Sequence, residues 1–162
     1  MFLEIITSKS PTLFCNIYIL IGMEMKVNVE ERSERARELF KNGYSCSQAV
    51  LVAYADVFNI DASFAAQLAS PFGGGIARMR EVCGCVCAMA LAGGFIEPSS
   101  DPKDIIQVQK TRDLVRKLAD EFGKEHGDII CRNLLQNKEK HSCVDYVAFS
   151  AKLIGEEINK KN

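Results

Sequence analysis

From residue 26 onward the apolar positions recur at three- and four-residue steps and do not alternate over any useful length, which predicts helices rather than strands. Residues 29–41 are charged, with Ala36, Leu39 and Phe40 as a narrow apolar face, and Asn42-Gly43 supplies a stop. Ser45-Cys46-Ser47-Gln48 has the form of a capping box. The helix predicted behind it, residues 46–58, is apolar nearly all round, as a core helix is. Asp61 caps a predicted helix over 62–70, rich in alanine and ended by Pro71. Residues 81–91 carry no proline and no β-branched run, and read as a short buried helix behind Gly73-Gly74-Gly75.

Gly93-Gly94 and Pro98-Ser99-Ser100 read as a linker. Asp101-Pro102 then opens a long helix, with Ile105, Val108, Val115, Leu118 and Phe122 in a row that Arg112 interrupts. Gly123 and Gly127 weaken its end, and residues 131–135 form a short helical segment. Ser142-Cys143-Val144-Asp145 repeats the cap pattern before a helix with Val144, Val147, Ala148, Ala151, Ile154 and Ile158 on one face. The expected fold is all-α, a compact single-domain bundle of about five to seven helices.

Residues 1–25 stand apart. Their apolar stretch, 13–23, is broken by Asn16 and is too short to span a bilayer. It has Glu4 beside Lys9 rather than a basic cluster, and lacks a small-residue cleavage site. The expectation is a non-native or disordered leader, with Met23 or Met25 opening the protein proper, no role for Cys15, and one domain over 26–162. A net charge of −1 without a basic patch or arm argues against nucleic acid and membrane as partners. The 7 cysteines are odd in number, so one chain cannot pair them all. Reduced thiols in the cytoplasm, kept for metal or redox work, are the expectation.

The candidate chemistry lies in residues 72–88, where three glycines and two arginines precede Cys83, Cys85 and Cys87. On a helix Cys83 and Cys87 share a face and Cys85 points elsewhere. Cys46 and Cys143 each follow a capping serine, and Cys83 and Cys131 lie near predicted helix starts. A helix start beside Arg78 and Arg80 favours a thiolate. The plainer reading is that cysteine is a small, commonly buried hydrophobe. Spacing names no ligand: the paired Cys-x-x-Cys of zinc sites and the tight runs of ferredoxins are absent. The glycine run reads as a tight turn with close backbone approach rather than a phosphate cradle, because no Gly-Lys-Ser/Thr follows. His126 and His141 are the only histidines; His141, two residues before Cys143, is expected to be a solvated loop residue rather than a base or ligand, and Glu81 is either a proton carrier or a first-turn helix stabiliser.

These residues resemble the C_GCAxxG_C_C family of redox-active proteins, marked by four cysteines, one in a Cys-Gly-Ala-x-x-Gly motif. Its first cysteine matches Cys46 in Asn42-Gly43-Tyr44-Ser45-Cys46-Ser47-Gln48-Ala49-Val50; its motif falls on Cys83-Gly84-Cys85-Val86-Cys87-Ala88; its last two cysteines match Cys131 and Cys143. The likeness spans roughly residues 30–158. Cys85 stands where the family has alanine, and Ala88 where it has glycine. The resemblance implies redox activity, and a related domain in split-Soret cytochromes is associated with an iron–sulfur centre. It therefore implies electron transfer through an iron–sulfur cluster held by Cys46, Cys83, Cys131 and Cys143. Gly74, Gly75, Arg78 and Gly84 are expected around the cofactor, and an unidentified redox protein is the expected partner. The second expectation is a thiol–disulfide oxidoreductase working through the same four thiols, with Cys85 and Cys87 as further candidates. The third is a structural zinc domain.

Overall fold

The Asn28 carboxamide accepts the Glu31 amide at 3.1 Å and opens α1 (Val29–Lys41). A computed structural model describes residues 26–136 and 142–161. Gly43, at φ +97°, lets the chain leave α1 through a left-handed turn. Six further helices follow: α2 (Cys46–Val52), α3 (Ala62–Ala69), α4 (Gly84–Ile96), α5 (Ile105–His126), α6 (Cys131–Gln136) and α7 (Cys143–Lys161). A 3-10 turn, Ser70–Phe72, extends α3. Among the described residues there is no strand, only one isolated β-bridge, so the fold is the all-α single domain that the pattern predicts. No described helix is long and apolar enough to cross a membrane. The leader, Cys15 and His141 lie outside the described residues.

The core is organised on α7, which packs against α1, α2, α4 and α5. Val147, Ala151 and Ile154 are fully buried there with Val50, Met89 and Leu118 from the surrounding helices. Tyr54 is buried beside them, and its hydroxyl donates to the Ala151 carbonyl at 2.7 Å. A smaller cluster of Leu51, Ala55, Ala65 and Ala69 fastens α2 to α3.

Four predicted boundaries move, each for a physical reason. The helix predicted over 46–58 is regular only to Val52, because the Ala53 carbonyl accepts Arg32 Nη1 at 2.9 Å and turns carry the chain onward. Asp101-Pro102 does not open α5; it forms a turn in which Asp101 Oδ1 accepts the Lys103 amide at 2.8 Å, and Asp104 is the cap. Gly93-Gly94 is not linker but the last turns of α4. A Cβ at Gly93 would lie 2.8 Å from Val115 Cγ2, so glycine permits the close crossing of α4 and α5. Ile105 and Ile106 are 76% and 73% exposed, since the 22-residue α5 outruns the 13-residue α4.

The fourth correction matters most for function. The segment predicted as helix over 81–91 starts its helix only at Gly84, because the residues before it pair with a distant part of the chain.

Candidate functional site

Cys46 is the first residue of α2, where the predicted capping box forms: Gln48 N–H donates to Ser45 Oγ at 3.4 Å and Ser45 N–H to the Gln48 side-chain oxygen at 3.0 Å. The buried Ser47 hydroxyl donates to the Ala69 carbonyl at 2.8 Å, which fastens this start to the end of α3. So held, the Cys46 sulfur rests on α4: a Cβ built at Gly84 would stand 2.6 Å from Sγ and 2.7 Å from the Phe72 carbonyl oxygen. Only glycine fits there.

Cys83 and Cys131 are brought together by an antiparallel pairing of residues 80–83 with 129–132. Val82 and Ile130 form the bridge, Cys83 N–H donates to the Ile129 carbonyl at 2.8 Å, and Cys131 N–H to the Glu81 carbonyl at 2.7 Å. Asp128 shapes the returning strand, its Oδ1 accepting the Ile129 and Ile130 amides at 2.6 and 2.8 Å. Glu81 is ion-paired to Arg132 across the pairing. That fixes the candidate proton carrier as part of this clasp.

The glycine run covers the same place. Gly74, Gly75, Ile76, Ala77 and Arg78 all have φ between +48° and +74°, and Arg80 has +63°. Left-handed backbone costs a non-glycine residue about 1–2 kcal/mol, so the surroundings must enforce it. Ala77 N–H reaches back to the Pro71 carbonyl at 2.7 Å, and Glu81 N–H to that of Gly75 at 3.1 Å. Gly75 is buried against Cys131, whose Cβ would stand 2.6 Å from a Cβ added there. Arg78 is exposed, with its side-chain carbons against Gly74.

Cys85 has no exposed surface, and hydrogen bonding with its thiol is the first influence on the titration of both Cys46 and Cys83. The Cys85 bond is the main reason that Cys46 titrates at about 6, with the Gly74 and Ser47 amides adding to it against the effect of burial. Cys83 is lowered as well, first by Cys85 and then by the amides of Cys85 and Val86, while the Cys46 charge opposes it. Burial pushes Cys85 well above the ordinary thiol value, and holding its proton for two acceptors pushes it further. Cys87 is pushed to about 11 by burial and the two neighbouring charges, and its S–H faces the Val82 carbonyl at 3.9 Å. Burial raises Cys131, against a hydrogen bond from Arg80.

Cys143, half-buried at the first residue of α7, packs on the main core. It adds its influence to that of Cys83 and Cys85 on Tyr146, whose hydroxyl donates to the Leu134 carbonyl at 3.3 Å. His126 is buried among the rings of Phe122, Tyr146 and Phe149.

Of the four expected ligands, Cys46 therefore rests on Gly84 beside Cys83, Cys131 lies across the clasp from Cys83 and is backed by Gly75, and Cys143 is placed only on the main core. Thiols suit a soft metal, yet among the described residues no three cysteine, histidine or acidic side chains are disposed as a metal-ligand group. As placed, the side chains do not fit a metal or cluster, and no step is derived through one.

The family described as "Putative redox-active protein (C_GCAxxG_C_C)" matches residues 44–157, well over half of the chain. The chain belongs to this family. No curated protein and no solved structure matches it. Within the C_GCAxxG_C_C match fall all six described cysteines, the left-handed loop and the 80–83/129–132 clasp. Sequence reasoning missed the clasp, the part played by Cys85 and the nearness of Tyr146 to the thiols. The one signal for the clasp was the β-branched pair Ile129-Ile130 between Gly127 and Cys131.

Proposed function

We propose that this protein is a thiol–disulfide redox carrier in which Cys46 is the attacking thiol. The observation that carries the reading is the seat of the Cys46 sulfur on Gly84, the residue between Cys83 and Cys85 in the chain. A half-buried thiol that titrates at about 6 is largely thiolate at neutral pH and can be reached by a partner's disulfide. Attack forms a mixed disulfide on Cys46 and releases one partner thiolate. A second thiol of the cluster then displaces the partner and leaves an internal disulfide. The chain's own contribution is to hold the attacking sulfur charged, to seat a second sulfur against it, and to shield both beneath the 74–78 loop. The partner is a dithiol or disulfide protein, and a reducing compartment such as the cytoplasm suits the resting thiols.

The test is a thiol count on the denatured full chain after equilibration with oxidised glutathione. Two thiols are expected to be lost and then recovered with dithiothreitol. An unchanged count would remove the reading.

A second reading, an iron–sulfur or zinc centre on Cys46, Cys83, Cys131 and Cys143, draws on each of the four capping or beginning a helix, and requires these side chains to move from where they lie, since as placed they form no ligand group. Iron with labile sulfide, or stoichiometric zinc, in protein purified without oxygen would promote it.

A further inference from the structure

Within the thiol–disulfide reading, on which this inference rests, we propose that Cys85 is the resolving thiol, so that the oxidised protein carries a Cys46–Cys85 disulfide joining α2 to α4. The partner sulfur must be one that touches Cys46, and the structure narrows the choice. The Cys46 sulfur lies on the start of α4, 2.6 Å from where a Gly84 Cβ would be, and Cys85 is the next residue. Cys85 is wholly buried in the first turn of that helix, whereas Cys83 stands outside it as the N-cap, its amide held by the Ile129 carbonyl.

The other thiols are placed less well. Cys87 faces the Val82 carbonyl, and Cys131 lies in the clasp, backed by Gly75. A Cys83–Cys85 bridge would close a ring over the single residue Gly84 and unwind the first turn of α4. A Cys46–Cys85 bridge would join the first turns of two helices already packed together. This chain has its third thiol where the family motif has alanine, so the bridge belongs to this chain rather than to the family motif.

The exchange balances with an external disulfide as oxidant. The Cys46 thiolate attacks one sulfur of that disulfide, the external S–S bond breaks, and the other half leaves as thiolate. Cys85 sulfur then attacks Cys46, breaking the mixed disulfide and expelling the second half. The Cys85 proton ends on one of the two released thiols, two electrons pass to the external disulfide, and Cys46 and Cys85 are oxidised to one bridge.

The experiment uses the full chain, reduced, freed of reductant and equilibrated with oxidised glutathione. Remaining thiols are blocked with N-ethylmaleimide before non-reducing digestion and mass spectrometry, with fragment ions separating Cys83 from Cys85. A peptide pair joined through Cys46 and Cys85 is expected. In Cys85→Ala the bridged fraction should fall about tenfold or more while Cys46 accumulates as its glutathione adduct; in Cys83→Ala the bridge should persist. Cys85→Ser, which keeps the volume and a donor, should stall at the same adduct, and thermal melting of the reduced form confirms its fold. A reversible bridge from Cys46 to Cys83, kept in Cys85→Ser, would overturn this assignment while leaving the thiol–disulfide reading intact. Absence of any reversible bridge would overturn both.

Discussion

Hydrogen bonding with the Cys85 thiol, and then with the amides of Gly74, Ser47 and Cys46 itself, lowers the Cys46 thiol by more than burial raises it. Alkylation of the reduced protein with iodoacetamide, followed site by site, should therefore show Cys46 gaining reactivity with a midpoint of about 6 and Cys87 with a midpoint of about 11. A Cys46 midpoint near the ordinary 9.0 would show that the hydrogen bonds do not form. Gly84→Ala forces a methyl group onto the Cys46 sulfur and the Phe72 carbonyl. It should cost about 1–3 kcal/mol by overpacking and also shift the Cys46 midpoint, which chemical denaturation and the same alkylation profile measure. The place of Cys46 was legible because Ser45 and Gln48 make a local cap. The place of Cys85 was not: its significance depends on a sulfur 39 positions earlier, and nothing near it in the chain signals that contact.

At the scale of elements, the helices with side-chain caps at Asn28, Ser45 and Asp61 appear where the local pattern puts them. The start of α4 does not, because the distant 129–132 segment draws residues 80–83 out of helical form. A single-sequence pattern holds no information about pairing across nearly fifty residues, and a run of left-handed residues through Ile76 and Ala77 opposes their intrinsic preference. Asp128 is the residue that shapes the clasp. Asp128→Ala, which loses the bonds to the Ile129 and Ile130 amides and to Asn133, is expected to lower stability by about 1–2 kcal/mol and to raise the rate of Cys131 alkylation. Arg132→Ala removes an exposed ion pair with Glu81 and should cost under about 1 kcal/mol. Equal losses in urea denaturation would show that the clasp is held by its charges instead.

For the whole molecule, the thiols make the stability of the reduced protein depend on pH in two opposed windows. Cys46 is lowered on folding, so its contribution is present above the ordinary 9.0 and is lost as the pH falls through about 6. Cys87 is raised, so its contribution is present below 9.0 and is lost as the pH rises through about 11. Relative to Cys46→Ser, the parent should gain stability between pH 6 and 9; relative to Cys87→Ser, it should lose stability between 9 and 11. A difference with no slope in either window would contradict these assignments.

The most direct measurement is native mass spectrometry of the full chain, purified without oxygen, before and after oxidised glutathione. The account expects the mass of the bare polypeptide at first, and afterwards the same mass less two hydrogens, reversed by dithiothreitol. A mass that includes iron and sulfide, or one that does not change on oxidation, would contradict it.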